Sequence, residues 1–171
     1  MTQGRAPPTL GPMSAEPAAT VVAVDDEEMV VKSLSFFLEL ETNYIVKIFT
    51  SAKEALAFIG ANDVDLVMSD YLMPEMDGLK FLAQVRDLKP EVPRIILTGY
   101  ADKENAIKAI NDVGLYQYIE KPWDNEDLRL VINNGLEKRQ LLDRLQTKIA
   151  EVEKANHELR EVQRQILKAF V

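Results

Sequence analysis

The sequence predicts an α/β domain with a doubly wound, five-stranded parallel sheet, whose last helix continues well beyond the domain. Five short apolar runs, rich in β-branched residues, alternate with helical patterns between residues 20 and 136. Strands that alternate with helices need crossover connections, which make the strands parallel and cover both faces of the sheet. After Gly135, neither proline nor glycine interrupts the chain as far as Val171, which predicts one long helix.

The first two strand–helix units occupy residues 20–59. We expect the first strand at Thr20–Val24 and a helix over residues 27–40, whose apolar face carries Met29, Val30, Leu34, Phe37 and Leu38. The second strand is expected at residues 44–49. Ser51 with Glu54 three residues later has the pattern of a capping box, which predicts that the next helix begins there and runs to Ile59.

Three further strands follow, at residues 64–69, 93–98 and 116–119. The first two of these are almost continuously apolar, as expected of parallel strands that are buried on both faces. A helix at residues 79–88 carries Leu79, Leu82, Val85 and Leu88. Asp102 is expected to cap a helix that runs to Asp112, and Gly114 to end it in the left-handed conformation.

Composition excludes several classes of function. The chain has no cysteine, so disulfides, thiol catalysis and cysteine metal sites are absent, and a reducing cytoplasm is the expected location. No apolar run approaches the length of a membrane span, so no membrane partner is expected. Residues 20–136 carry 11 Lys and Arg against 21 Asp and Glu, which disfavours direct binding of nucleic acid.

Polar residues stand where the predicted strands end. Asp25 and Asp26 follow the first strand, Asp70 the third, Thr98 ends the fourth, and Lys121 follows the fifth. Ligands of such sheets bind beyond the carboxyl ends of the strands. Three carboxylates at one edge repel each other, and oxygen ligands without His or Cys favour Mg²⁺ over zinc.

A carboxylate in this setting can act as a nucleophile toward phosphorus and form an acyl phosphate. Phosphoryl transfer needs mainly positioning and positive charge around the phosphoryl oxygens. Mg²⁺ supplies one such charge and the Lys121 ammonium another, while the Thr98 hydroxyl can donate a hydrogen bond. Taken singly, each residue also has a structural explanation: a helix cap for Asp25 and Asp26, a turn for Asp70, a strand end for Thr98 and a surface charge for Lys121.

Four segments together resemble the signature blocks of bacterial two-component response-regulator receiver domains: VVAVDDEE, MSDYLMPEMDGLKFL, IILTGYAD and YIEKPW. The resemblance covers about residues 20–136 and implies a flavodoxin-like receiver fold. It also implies a signalling domain that takes a phosphoryl group from a sensor histidine kinase or phosphotransfer protein, with Mg²⁺. As an enzyme, such a domain would only phosphorylate and dephosphorylate itself.

The resemblance assigns roles residue by residue. Asp70 becomes the phosphoacceptor. Asp25, Asp26 (the more direct ligand), Asp70 and the backbone carbonyl of Leu72 become the Mg²⁺ ligands. Thr98 and Lys121 contact the phosphoryl group, and Tyr118 with Thr98 forms the switch. The segment Met73-Pro74 and Gly78 match the loop after the third strand, and the Lys121–Pro122 bond resembles one that is often cis.

Beyond the domain, apolar residues follow the spacing of a coiled coil. With Leu142 at position a, the a set is Leu142, Ile149, Asn156, Gln163 and Phe170, and the d set is Leu145, Val152, Leu159 and Ile166. This pattern predicts a parallel homodimer through residues 138–170, in which Asn156 selects the register and Lys148 faces Glu153 of the partner copy. A competing stripe of Leu159, Val162, Ile166 and Ala169 begins after Ala155. Alternatively, the helix lies back on its own domain.

The sequence thus predicts a disordered leader at residues 1–19, a receiver at residues 20–136 and a coiled-coil extension at residues 137–171. The favoured function is a switch that relays phosphorylation through the dimer to an output domain or partner outside this chain. Two other functions stay open. One is a Mg²⁺-dependent aspartyl-phosphate hydrolase of the dehalogenase type, which the adjacent Asp25 and Asp26 disfavour. The other is a purely structural oligomerisation module, which the acidic cluster disfavours.

Overall fold

A computed structural model describes residues 17–170 of the chain and confirms the predicted fold. All five strands are parallel and lie in the order β2-β1-β3-β4-β5. Their bounds are β1 Thr20–Val24, β2 Ile45–Phe49, β3 Leu66–Asp70, β4 Arg94–Thr98 and β5 Gln117–Glu120. The predicted leader, residues 1–19, lies mostly outside the described residues.

Five α-helices cover the two faces of the sheet: α1 Glu28–Glu41, α2 Ala52–Ala61, α3 Gly78–Leu88, α4 Lys103–Asp112 and α5 Asn125–Ala169. Alternate residues of a strand point to opposite faces, so Val22 and Val24 pack with α2, α3 and α4. Val21 and Ala23 pack with α1 and α5 on the other face. This double burial explains why the central strands are apolar throughout.

Side-chain caps start three of the helices. Ser51 accepts a hydrogen bond from the backbone N–H of Glu54, as predicted for α2. Asp77 caps α3, and Asp124 caps α5 by accepting from Glu126 and Asp127. The prediction for Asp102 was wrong in its detail: a 3-10 turn at Tyr100–Asp102 precedes α4, and the Asp102 side chain makes no capping hydrogen bond. Gly114 has a φ of 70°, as predicted.

The inner face of α1 differs from the prediction. Leu34 and Leu38 are buried, but the third buried side chain is Val31, and Met29 is 78% exposed. Because Met29, Val30 and Val31 are adjacent and all apolar, their spacing is compatible with more than one buried face of the helix. The face is decided by contacts with the sheet, which local spacing does not record.

Helix α5 packs on the sheet over its first part and then leaves the domain. Leu128, Ile132, Gly135 and Leu136 are buried against the sheet, whereas the side chains beyond Gln140 are exposed, apart from the partly buried Glu161. The helix therefore does not lie back on its own domain. Within residues 17–170, no helix is apolar enough over a sufficient length to span a membrane.

Candidate functional site

The acidic cluster forms because β1 and β3 are neighbours in register. Val24 pairs with Ser69, so Asp25 and Asp70, the next residues of the two chain segments, emerge at the same edge of the sheet. One carboxylate oxygen from each of Asp25, Asp26 and Asp70 lies within 4.8 Å of the others. Asp25 is fully buried, Asp70 is partly buried and Asp26 is exposed.

Lys121, in the loop after β5, completes the cluster. Its Nζ atom lies 2.8 Å from Oδ2 of Asp25 and 3.0 Å from Oδ1 of Asp70. The backbone N–H of Lys121 donates to the carbonyl of Thr98 at 2.8 Å, which fixes the start of the loop to β4. The Lys121–Pro122 bond is cis, as the resemblance implies.

Burial and the contacts within the cluster shift two pKa values. Burial raises the pKa of Asp70, and the charge of Asp25 adds to this, while the contact with Lys121 opposes it. Burial alone would lower the pKa of Lys121, but its hydrogen bonds with Asp25 and Asp70 outweigh that effect and raise it. The single positive charge of Lys121 therefore faces the negative charges of Asp25 and Asp70. The site lacks enough positive charge to balance its carboxylates.

This shortage and the chemistry of the donors fit a hard divalent cation. Each carboxylate offers oxygen, the ligand type that Mg²⁺ prefers. Asp25 already accepts hydrogen bonds from the backbone N–H of Glu27 at Oδ1 and from Lys121 at Oδ2. The exposed carboxylate of Asp26 is therefore the more accessible of the adjacent pair.

Thr98 lies on β4, which is beside β3, and Tyr118 lies on the edge strand β5, beside β4. Thr98 is fully buried at the end of β4, and its hydroxyl donates to the carbonyl of Gly99 at 3.0 Å. Tyr118 pairs with Ile96 across β4 and β5 and is partly buried against the apolar cluster under α4. Thr98 thus lies at the acidic edge, whereas Tyr118 lies one strand further out, level with Ile96.

The loop after β3 approaches the backbone of Asp70 very closely. A Cβ atom on Gly78 would lie 2.0 Å from the Asp70 carbonyl oxygen, so no larger residue fits without a shift of the backbone. The N–H of Gly78 donates to the carbonyl of Tyr71 at 2.8 Å, which closes the loop. The side chain of Leu72, in this loop, is 62% exposed.

Sequence reasoning missed one buried polar residue beside the phosphoacceptor candidate. The hydroxyl of Ser69 is fully buried and donates to the Asp70 carbonyl at 2.9 Å. A serine within an otherwise apolar run, Leu-Val-Met-Ser-Asp, is the signal that marks it. Ser69 and Gly78 together fix the backbone from which the Asp70 carboxylate projects.

Comparison with known proteins identifies the family. The family described as response regulator receiver domain matches residues 21–133. The hydrogenase transcriptional regulatory protein HoxA of Cupriavidus necator is 38% identical over 119 residues, which are 70% of this chain and 24% of that protein. The transcriptional regulatory protein FixJ of Rhizobium meliloti is 35% identical over 158 residues, covering 89% of this chain and 74% of that protein.

Solved structures agree with this assignment. A signal receiver domain of an HD domain-containing protein from Pseudomonas fluorescens superposes with a TM-score of 0.68 at 33% identity, covering 72% of this chain and 98% of that domain. An adenylate cyclase structure from Rhodopirellula baltica gives a TM-score of 0.73 at 26% identity and covers 78% of this chain and 98% of that one.

The chain spans about a quarter of HoxA and of another relative, the C4-dicarboxylate transport transcriptional regulatory protein DctD of Rhizobium meliloti. The shared part is the receiver, and the comparisons give no support to a hydrolase of the dehalogenase type. The family match, the strand order and the acidic edge agree, and the chain belongs to the response regulator receiver family, the phosphate-accepting signalling domains of two-component systems.

Proposed function

We propose that Asp70 is the residue that accepts the phosphoryl group, from a sensor histidine kinase or a phosphotransfer protein. The observation that carries this proposal is the contact of Lys121 with both Asp70 and the buried Asp25 at the edge of a receiver fold. Receiver domains take their phosphate from histidine kinases, and Asp70 is the acidic residue at the end of the central strand β3.

The reaction needs little chemistry from the protein. A carboxylate oxygen of Asp70 bonds to phosphorus as the bond between phosphorus and the donor nitrogen breaks, and the donor histidine leaves. Lys121 holds positive charge beside the incoming phosphoryl oxygens. The hydroxyl of Thr98, which now donates to Gly99, turns toward the phosphoryl group when Asp70 is modified.

Asp25, Asp26, Asp70 and the backbone carbonyl of Leu72 would hold Mg²⁺. When bound, the ion supplies positive charge that offsets the repulsion between the carboxylates and the phosphoryl oxygens. Beyond phosphorylation and dephosphorylation of Asp70 itself, we propose no enzymatic activity for the domain.

The proposed signal passes through Thr98 and Tyr118 to the face formed by β5 and α5. Residues 20–136 act as the receiver, and residues 137–171 act as a coiled-coil extension that pairs two copies through residues 138–170. The acidic receiver supports an output through paired helices rather than direct binding of nucleic acid. A histidine kinase as partner and a chain without cysteine support a cytoplasmic location.

Phosphorylation by acetyl phosphate with Mg²⁺ tests the proposal. One hydroxylamine-labile phosphoryl group per chain is expected, and Asp70→Asn should abolish it. Asp87→Asn is the matched control, since that carboxylate is 73% exposed on α3. Incorporation that survives in Asp70→Asn, or turnover of a small phosphate ester, would refute the proposal. Light scattering with and without a beryllofluoride mimic then measures the oligomeric state.

A further inference from the structure

The part of α5 that leaves the domain, residues 140–169, carries an apolar stripe that no other described residue covers. We call this part the distal helix. Its seven large apolar side chains that face one side are between 40% and 58% exposed: Leu142, Leu145, Ile149, Val152, Leu159, Val162 and Ile166. A helix with such a narrow stripe is stabilised by a partner helix rather than by a flat surface.

The first half of the stripe has one clear register. The intervals from Leu142 to Leu145, Ile149 and Val152 are three, four and three residues, as in an uninterrupted heptad repeat. In this register Lys148 lies opposite Glu153 of the partner subunit in a parallel pair, and the two charges attract. The occupant that fits this stripe is therefore a second copy of the same chain.

The second half does not continue that register well. An unbroken heptad repeat places Asn156 and Gln163 in the seam, although both are polar. It also places Ala155, Val162 and Ala169 beside the seam, where charged or polar residues are usual. Each polar side chain in a dry interface needs a hydrogen-bond partner or weakens the pair.

A single change of spacing removes both conflicts. If Val152 is followed in the seam by Ala155, three residues on, the seam continues at Leu159, Val162, Ile166 and Ala169. Every seam position from Leu142 onward is then apolar. The residues beside the second half of the seam are then polar at Asn156, Glu158, Gln163 and Gln165, and the apolar Phe170 is the exception at its end.

We propose that two copies pair through the distal helix with a three-residue insertion in the heptad repeat at Val152–Ala155, so that Ala155 and Val162 lie in the seam and Asn156 and Gln163 lie outside it. The proposal rests on the proposed homodimer. Such an insertion overwinds the coil locally. The small side chain of Ala155 lies in the seam at the point of the insertion.

This arrangement changes the role expected of Asn156. In the unbroken register Asn156 would pair with its copy and select the alignment of the helices. In the proposed register it faces solvent, and the alignment is set by the position of the inserted residues. The coil then has two stretches of regular heptads, one next to the receiver and one at the far end, and they meet at Ala155.

Disulfide crosslinking of the full chain tests the register, because the natural chain has no cysteine. Single variants Ala155→Cys and Val162→Cys are compared with their neighbours Asn156→Cys and Gln163→Cys under mild oxidation. Ile149→Cys is the reference, since it lies in the seam in both registers. We expect positions 149, 155 and 162 to crosslink at least about fivefold faster than positions 156 and 163, because only seam positions face their own copy.

The outcomes separate this proposal from the homodimer itself. Crosslinking at position 149 together with faster crosslinking at 156 and 163, or with equal rates at all four positions, would refute the inserted register and leave the homodimer standing. Absence of crosslinking at position 149 would refute both. As a second measurement, Val162→Asn should weaken dimerisation about tenfold, while Gln163→Asn should change it less than about threefold. Equal effects of the two variants would also refute the inserted register.

Discussion

Arg139 of α5 and Asp65, which precedes β3, form an ion pair across 3.3 Å at the point where the helix leaves the domain. Asp65 also accepts a hydrogen bond from the backbone N–H of Thr20 at 2.8 Å, and Arg139 donates to the carbonyl of Val64. The two side chains thus join β1, the start of β3 and α5. This junction ties α5 to the sheet just before the distal helix begins.

Arg139→Gln should lower the free energy of unfolding by about 1–2 kcal/mol, because the Val64 carbonyl and the Asp65 carboxylate lose a largely buried charged donor. Chemical denaturation measures this loss. In a double-mutant cycle with Asp65→Asn, we expect a coupling of about 0.5 kcal/mol or more.

Arg160→Gln serves as the control for Arg139→Gln, since residue 160 is exposed on the distal helix. It should change the free energy of unfolding by less than about 0.5 kcal/mol. Additive effects of Arg139→Gln and Asp65→Asn would show that the two residues do not act as a pair.

Gly78→Ala should destabilise the receiver by about 1–3 kcal/mol, because the added Cβ would meet the Asp70 carbonyl oxygen at 2.0 Å and the loop must shift. The same shift moves the Asp70 carboxylate, so the rate of phosphorylation by acetyl phosphate should fall as well. Thermal unfolding and the rate of phosphoryl incorporation are the measurements.

Gly60→Ala is the matched control within the same fold. Gly60 lies in α2, and a Cβ atom there would meet nothing within 4 Å. Alanine favours a helix more than glycine does, so this variant should be more stable by up to about 1 kcal/mol and should phosphorylate normally. A loss of stability in Gly60→Ala as large as that in Gly78→Ala would contradict the steric explanation.

The fold and the acidic edge were predictable from the sequence because both follow from local patterns. The bounds of β1 agree with the prediction, and strand ends that share an edge bring Asp25, Asp26, Asp70 and Lys121 together. The topology rule for parallel sheets converts positions along the chain into proximity in space. No side-chain geometry is needed for that step.

What could not be predicted depends on contacts between distant residues. Arg139 reaches a carbonyl 75 positions away along the chain, and no local pattern marks that pairing. The same is true of Val31, which replaces Met29 on the buried face of α1 because of how the helix packs on the sheet. At Asp102 the residue type suits a cap, but a 3-10 turn precedes α4 and the side chain makes no capping hydrogen bond.

Lys121→Gln should impair both stability and phosphorylation. The variant leaves the fully buried Asp25 carboxylate without its ammonium partner, which should lower the free energy of unfolding by about 1–3 kcal/mol in metal-free buffer. Phosphoryl incorporation should fall at least about tenfold, because positive charge beside the phosphoryl oxygens is lost. Mg²⁺ should stabilise the variant more than the natural protein, since it offsets the unpaired carboxylates.

Lys103→Gln is the control for Lys121→Gln. Lys103 pairs with Glu120 at 3.0 Å, but both side chains are more than a third exposed, so the loss of stability should be much smaller than that of Lys121→Gln. Phosphoryl incorporation should be unchanged. If both lysine variants lost stability equally and Mg²⁺ rescued neither, the assignment of Lys121 to the acidic site would be wrong.

The pH dependence of stability reports on Asp70. Burial, with the charge of Asp25, raises the pKa of Asp70 in the folded state, so folding favours its protonated form. The favourable contribution of the Asp70 carboxyl group to the free energy of unfolding is complete below the pKa of this group in the unfolded chain, near 4. It disappears as pH rises through the pKa of the group in the folded state. At pH 7 and without Mg²⁺, the ionised carboxylate therefore destabilises the domain.

Asp70→Asn removes that charge and should raise the free energy of unfolding at pH 7 in buffer with a chelator. The advantage should shrink as pH is lowered toward 4, where the natural carboxyl is protonated and resembles the amide. Added Mg²⁺ should stabilise the natural protein and reverse the order, because the amide of the variant offers no negative charge to the ion. Denaturation at a series of pH values, with Asp87→Asn as the exposed control, measures this. A difference independent of pH would mean that burial of the Asp70 charge is not its cause.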